Sequence, residues 1–227
     1  MGMTTQIGLL LYPHLTQLDL TGPYELLHRV PNAKVHLLWK TTDLVTSDSG
    51  LGIMPTTRLA DCPDLDVLFV PGGRGQLALM SDEDVLSFLR EQGGRARYVT
   101  SVCTGALLLG AAGLLLGYRA ATHWAYMDLL PAVGAIPVRQ RVVVDRNRIT
   151  AGGVTAGIDF GLHIVAELAG EAVARQTQLM LEYDPAPPFQ SGHPRVADQA
   201  DVAVVLAHLR ELIAKRGAQL QETSQRT

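Results

Sequence analysis

Cysteine, aromatic residues and charge are all scarce in this chain of 227 residues. Two cysteines exclude a disulfide scaffold, which predicts a reduced, cytoplasmic location. Charged residues make up only 18% and the net charge is −3, so the chain has no basic field for nucleic acid. The longest apolar stretch, residues 105–117, is shorter than a membrane span of about 20 residues. We therefore expect neither nucleic acid nor membrane as a partner.

Apolar residues are plentiful, at 47%, and suffice for a large aliphatic core. Helical segments alternate with runs typical of buried strands, at residues 7–12, 34–41, 67–70, 98–102, 141–145 and 148–151. This alternation predicts an α/β fold, with a mostly parallel central sheet and helices on both faces in a flavodoxin-like three-layer sandwich. We expect a single domain over residues 1–227, in which residues 190–227 form a C-terminal helical extension.

Glycine and proline predict where several helices begin and end. One helix is expected to begin at Gly22–Pro23, because proline is well tolerated in a first turn. Another is expected over residues 82–92, with Gly93–Gly94 ending it. The last helix, about residues 198–220, carries an aliphatic stripe at Val202, Val205, Leu206, Leu209 and Ile213. Core packing is the simplest interpretation of that stripe, with an oligomer contact as the alternative.

The strongest chemical signal is Cys103, between the strand at 98–102 and a helix of small residues. A strand that turns directly into a helix resembles a nucleophile elbow, here with cysteine in place of serine. Gly105 lets the helix approach the strand, and the helix dipole is expected to lower the thiol pKa. The alternative is a buried structural cysteine. Cys62 lies among aspartates in a turn, where we expect no special role.

Two other loops follow predicted strand ends, and parallel strands bring such ends to one sheet edge. Gly72–Gly73 follows residues 67–70, and its N–H groups are candidates for an oxyanion or substrate site; a tight turn is the alternative. Asp19 follows the first strand between two leucines, so its carboxyl is expected to be partly buried, with a raised pKa. It is a candidate general acid, with helix capping as the alternative.

Histidine is less informative. His123 invites pairing with Cys103, but no acidic residue adjoins it to orient the ring, so a structural histidine is the default. Asp159 and His163 lie four residues apart on a predicted helix. They lack a third nearby ligand, so we expect no metal site.

Together these motifs resemble the ThiJ/PfpI superfamily, the class I glutamine amidotransferase-like fold. The resemblance covers residues 7–181 and rests on Asp19, Val70–Gly73, Val102–Ala106, Ala121–Trp124 and Ala151–Asp159. Within the superfamily it is greatest to the isonitrile (isocyanide) hydratases, supported by Asp at position 19 and by residues 182–189. Ligand-binding domains of AraC-type regulators share some of these motifs.

The resemblance implies an enzyme, a lyase that hydrates isonitriles to N-substituted formamides without metal or organic cofactor. Cys103 would be the nucleophile, forming a thioimidate, and Asp19 the proton donor. Thr104 would assist through its hydroxyl and N–H, while Gly72, Gly73 and His123 would bind substrate or stabilise charge. A homodimer is also implied. A regulatory ligand-binding domain and another cysteine-dependent enzyme (glyoxalase, deglycase or amidase) remain as alternatives.

Overall fold

A computed structural model describes residues 4–224, so both ends of the predicted 1–227 domain lie outside the described residues. Its strands are β1 Thr5–Leu10, β2 Ala33–Trp39, β3 Val45–Thr46, β4 Gly52–Ile53, β5 Thr57–Arg58, β6 Val67–Val70, β7 Tyr98–Val102, β8 Arg119–Ala120, β9 Ile136–Pro137, β10 Val142–Asp145 and β11 Arg148–Ala151. Its α-helices are α1 Gln17–Leu27, α2 Gln76–Leu79, α3 Glu83–Arg95, α4 Gly105–Ala111, α5 Ala156–Ala169, α6 Glu171–Met180 and α7 Gln199–Ser224. Two 3-10 helices cover Leu59–Asp61 and Trp124–Val133.

Seven strands form the central sheet, in the order β10-β11-β7-β6-β1-β2-β5. All neighbours are parallel except the β10–β11 hairpin at one edge. Helices lie around the sheet in two groups: α1, α5 and α6 pack together, and α2, α4, α7 and the 124–133 helix pack together. The predicted α/β fold with a mostly parallel sheet is confirmed. No helix within residues 4–224 is both long and apolar enough to cross a membrane.

The sheet brings three strand ends to one edge. β7, β6 and β1 are adjacent and parallel, so the segments that follow them leave on the same side. All four residues of β6 are buried, as apolar strands covered on both faces must be. Asp19, Gly72 and Cys103 follow these three strands, so the fold delivers them to one place.

Two predicted helix boundaries are wrong because tertiary packing overrides local signals. α1 begins at Gln17 and contains Pro23, which packs against Gly157 of α5, where an added Cβ would lie 3.0 Å from the proline ring. α3 continues through Gly93–Gly94 to Arg95, and Gly93 is buried there. The earlier start of α1 places Asp19 in its first turn.

The aliphatic stripe of the final helix, α7, does not pack into the core along its whole length. α7 extends to Ser224, but Val205 and Leu206 in its N-terminal half are 41% and 37% exposed. Only its C-terminal half reaches the core, through the fully buried Leu220 and the nearly buried Arg216. Core packing is therefore wrong for the first half of the stripe.

The close approach of α4 to β6 gives a stability prediction. A Cβ at Gly105 would lie 2.1 Å from the Val70 carbonyl oxygen, a backbone atom that cannot move aside. We expect Gly105→Ala to lower the free energy of unfolding by about 3 kcal/mol in denaturant titrations. The matched control is Gly94→Ala in α3, where a Cβ meets nothing within 4 Å. It should be neutral or stabilising by about 0.5 kcal/mol, and equal losses in both variants would contradict this account.

Candidate active site

Cys103 occupies a strained turn between β7 and α4. Its φ of 52° is in the left-handed region, which a non-glycine residue adopts only when its surroundings impose it. They do so here: its N–H donates to the Gly152 carbonyl at 2.7 Å, and its own carbonyl accepts the Thr122 hydroxyl at 2.7 Å. The side chain is 7% exposed. The strand–turn–helix geometry is that of the predicted nucleophile elbow.

Asp19 lies against the elbow and is fully buried. Its Oδ2 accepts the Gly72 N–H at 2.9 Å. Its Oδ1 is buried without a partner of ordinary hydrogen-bond geometry among residues 4–224, and the Cys103 thiol is the side chain that interacts with this carboxyl. Burial raises the pKa of Asp19 from its ordinary 3.8 to about 7. The expected buried carboxyl with a raised pKa is confirmed.

Gly72 is the residue that lets these groups meet. A Cβ there would lie 2.6 Å from the Thr104 nitrogen, 2.7 Å from Asp19 Oδ2 and 2.8 Å from the Cys103 Cβ. No side chain fits in that space. Gly72 is therefore needed both for the turn and for the close approach of Asp19, Cys103 and Thr104.

The expected low thiol pKa is wrong for this structure. Burial, followed by the Asp19 carboxyl, raises the pKa of Cys103 well above its usual value. A hydrogen bond from the Thr104 N–H and the charge of Arg216 act in the opposite direction. Desolvation of the sulfur outweighs these favourable contributions because the thiol is almost completely removed from water.

Thr104 and Gly73 bond to each other. The Gly73 N–H donates to the Thr104 hydroxyl oxygen at 3.1 Å, so this amide is engaged within the protein. The Thr104 hydroxyl keeps its own proton to donate, and both residues line the cavity beside Cys103. A role for the Gly73 N–H in stabilising charge stays a prediction, and Thr104 is the more open donor.

His123 also lines this cavity, although it is not bonded to the cysteine in the described part of the chain. Its Nδ1 accepts the Ala125 N–H at 3.3 Å and caps the 124–133 helix. Burial, followed by the charge of Arg216, lowers the pKa of His123 to about 4, so the ring is neutral at pH 7. The structure therefore gives His123 a capping contact and a place in the wall.

Two neighbouring cavities lie beside the elbow. The first, of about 170 Å³, is lined by Thr16, Asp48, Gly73, Arg74, Cys103, Thr104, His123, Tyr126, Val154, Leu209, Leu212 and Arg216. A larger one of about 400 Å³ shares His123 and Val154 with it. Cys103 lines only the first, so that cavity is the one in which a small linear group could meet the sulfur.

The remaining candidate residues lie elsewhere. Cys62 is half-buried in its turn, and burial, followed by Asp64, raises the pKa of its thiol to about 11. Asp159 is engaged by Arg141 and by the Tyr183 hydroxyl. Within residues 4–224 no cluster of three or more His, Cys, Asp or Glu side chains is present that could hold a metal ion.

Arg216 of α7 is the site residue that the sequence interpretation missed. It is 2% exposed and lines the same cavity as Cys103. The sequence does carry a signal for Arg216. It shares helical spacing with Leu209, Ile213 and Leu220, so it is a charged residue on an otherwise apolar helix face. The predicted stripe ended at Ile213, one step too early.

Comparisons with known proteins agree with this fold. The profile of the DJ-1/PfpI family matches residues 5–167. Isonitrile hydratase of Pseudomonas putida is 60% identical over 200 residues, which cover 88% of each chain. The HTH-type transcriptional regulator GbdR of Pseudomonas aeruginosa is 30% identical over 224 residues, which are 95% of this chain and 60% of that longer protein.

The solved structures give the same result. A ThiJ/PfpI family protein from Pseudomonas syringae superposes with a TM-score of 0.94 at 49% identity, covering 97% of this chain and 91% of that chain. The predicted superfamily is therefore confirmed. With a family profile matched over more than half of its length, this chain belongs to the DJ-1/PfpI family.

Proposed function

We propose that this protein is an isonitrile hydratase, which adds water to organic isonitriles and releases N-substituted formamides. The observation that carries the proposal is the buried pair of Cys103 and Asp19, a nucleophile beside an acid whose pKa lies near 7. The 60% identity to the Pseudomonas putida enzyme supports the same conclusion. Hydration needs one proton delivered to carbon and one water added, and this pair can supply and recover that proton.

The first step joins the cysteine to the terminal carbon of the isonitrile. With the shared proton on Asp19, the Cys103 thiolate attacks this carbon, and the Asp19 proton passes to the same atom. A neutral thioimidate and an Asp19 carboxylate result. The negative charge moves from sulfur to carboxylate, so the net charge of the site does not change.

The second step releases the product. Asp19, now a carboxylate, takes a proton from water as the water oxygen adds to the thioimidate carbon, and passes this proton to the nitrogen. As the carbon–sulfur bond breaks, the hydroxyl proton of the tetrahedral intermediate returns to Asp19, so the formamide leaves and the Cys103 thiolate and protonated Asp19 are restored. Thr104 is placed to donate its hydroxyl proton to the reacting group, because its oxygen already accepts the Gly73 N–H.

The rival functions have weaker support. An amidase or a related hydrolase requires a histidine base on the nucleophile, whereas His123 caps a helix and has no bond to Cys103 among the described residues. The regulator GbdR is 30% identical to this chain, half the identity of the Pseudomonas putida hydratase.

A substrate panel tests the proposal. The full chain is incubated with an aryl isonitrile, methylglyoxal and a small primary amide, and each loss is followed separately. We expect turnover of the isonitrile with one formamide formed for each isonitrile consumed. Turnover of methylglyoxal or of the amide, with the isonitrile untouched, would replace hydration by one of the rival activities.

We also propose that the protein is a homodimer that acts in the cytoplasm. Support for the dimer comes from the family resemblance and from exposed Val204, Val205 and Leu206 on α7, since an aliphatic face in water favours association. Sedimentation at micromolar concentration should give twice the 24.5 kDa mass of the chain. Leu206→Glu should lower that mass toward the monomer, and a wild-type protein that sediments as a monomer would exclude the dimer.

A further inference from the structure

Arg216 is a buried cation without a carboxylate partner. Its guanidinium is 2% exposed and forms no ion pair within 4 Å among residues 4–224. One of its nitrogens, Nη1, is buried with no hydrogen-bond partner of ordinary geometry in the described part of the chain. A buried charge is costly unless something nearby compensates for it. Cys103 lines the same cavity as Arg216, and negative charge on its sulfur can supply that compensation.

The contacts of Arg216 clamp the glycine turn. Its Nη2 donates to the Gly73 carbonyl at 2.7 Å, and its Nε donates to Gln76 Oε1 at 2.9 Å. The guanidinium lies 4.7 Å from the centre of the Tyr126 ring. Because the Gly73 N–H is bonded to Thr104, this one peptide segment is held between α7 and the elbow.

Two fixed charges of opposite sign act on the two members of the pair. Arg216 stabilises negative charge on Cys103, whereas Asp48 stabilises the protonated form of Asp19. Both residues line the cavity. Both therefore favour the same arrangement, in which the sulfur is ionised and the carboxyl keeps the proton.

We propose that Arg216 is a positioning residue that stabilises negative charge on the Cys103 sulfur and so increases the share of the pair in which the proton lies on Asp19. It does so by its buried charge and by holding the Gly73 turn against the elbow. The inference rests on the proposed function, in which that tautomer attacks the isonitrile. Burial opposes the thiolate, and Arg216 supplies the counter-charge that keeps it accessible.

Other groups also face the sulfur and must be kept constant in a test. Besides Arg216, the charged and titratable side chains around Cys103 are Tyr12, Asp19, Asp48, Arg74, His123 and Tyr126. A substitution of Arg216 leaves these side chains in place, although it also removes a positive charge that acts on Tyr12, His123 and Tyr126. Lys215, next to it on α7, is 56% exposed and pairs with Glu211, so it offers a matched control for removing one positive charge.

The experiment measures the thiol directly and uses no isonitrile, so its outcome does not depend on whether the substrate is correct. In a Cys62→Ser background, alkylation of Cys103 by neutral iodoacetamide is followed from pH 5 to 10, and the Cys103 peptide is identified by mass. We expect Arg216→Met to raise the midpoint by about one unit, so alkylation at pH 8 slows about tenfold. Arg216→Lys, which keeps the charge, should lie within about 0.5 unit of the parent, and Lys215→Met should match it.

A folded Arg216→Met protein with the parent's profile would overturn the proposal, as would an equal shift in Lys215→Met or in Arg216→Lys. If Arg216→Met does not fold, Arg216→Gln, which also removes the charge but keeps hydrogen-bond donors, replaces it and should show the same slowing. The exposed Asp48→Asn variant removes the charge on the carboxyl side, so its alkylation should be about twofold slower than the parent's at low salt, and the two rates should converge at 0.5 M salt, where the Asp48 charge of the parent is screened. An unchanged alkylation rate of Asp48→Asn at low salt would show that Asp48 does not help to keep the proton on Asp19.

Discussion

Cys103→Ala should remove isonitrile turnover altogether, with a rate at least about a thousandfold below wild type. The covalent route depends on this sulfur, and no second nucleophile replaces it: the other cysteine, Cys62, lies apart in a turn after the first 3-10 helix. The rate of isonitrile loss is measured from the absorbance of an aryl isonitrile, with the enzyme in excess over the substrate. The variant should remain folded because the turn is held by backbone bonds to Thr122 and Gly152.

Cys62→Ala provides the matched control for this variant. It removes a half-buried thiol of similar size outside the site, so turnover should equal that of wild type. Retained activity in Cys103→Ala would remove the nucleophile from the mechanism. Equal losses in both variants would point to damaged folding instead of lost chemistry.

Asp19→Asn should lower turnover by about three orders of magnitude, because general acid–base catalysis contributes 10² to 10⁴ in rate. The amide keeps an oxygen for the Gly72 N–H but cannot deliver a proton to carbon or accept one from water. The substrate concentration for half-maximal rate should change little, since the cavity keeps its shape. A loss of less than tenfold would mean that another group supplies the proton.

The same variant should make the protein more stable. Raising the pKa of Asp19 from 3.8 to about 7 means that the fold disfavours its carboxylate by up to about 4 kcal/mol above pH 7. Unfolding releases that penalty, so the wild type loses stability as pH rises from about 4 to 7, and Asp19→Asn should not. Denaturant titrations at pH 8 and at pH 4 measure the difference; a variant less stable than wild type at pH 8 would give Asp19 a structural role.

The pH profile of kcat/KM follows from the same pair. Below about pH 7 both Asp19 and Cys103 hold protons, and the active form needs one proton removed. We expect kcat/KM to rise through about pH 7, where the pair loses its first proton, and to fall only where it loses its second proton, above pH 9. These two values belong to the coupled pair. A profile that instead declines from pH 6 upward would show that the doubly protonated pair is the active form.

Local sequence signals predicted the parts of the site that depend on neighbours in the chain. β6 at Val67–Val70 and β7 at Tyr98–Val102 have the predicted bounds, because β6 is an apolar run and β7 is rich in β-formers, and each is followed by a turn that contains glycine or cysteine. The elbow at Cys103 follows from a strand joined to small residues. The meeting of Asp19 with Cys103 followed from topology, since parallel adjacent strands end at one edge.

Features that depend on distant packing could not be predicted in this way. Pro23 lies inside α1 only because α5 holds it there, and Gly93 is helical although local propensity opposes it. The raised pKa of Cys103 comes from burial, which outweighs the local helix dipole. Arg216, more than 100 residues further along the chain, reaches the glycine turn only through the docking of α7.

Analysis of a labelled product decides whether this chain hydrates isonitriles. An isonitrile carrying ¹³C at its terminal carbon is mixed with the enzyme in D₂O and followed by ¹³C NMR. We expect the labelled carbon to become the formyl carbon of the formamide and to carry deuterium, since the proton that Asp19 delivers exchanges with solvent. Isonitrile lost no faster than in an enzyme-free sample, or labelled formate as the enzymatic product, would rule out hydration to the formamide.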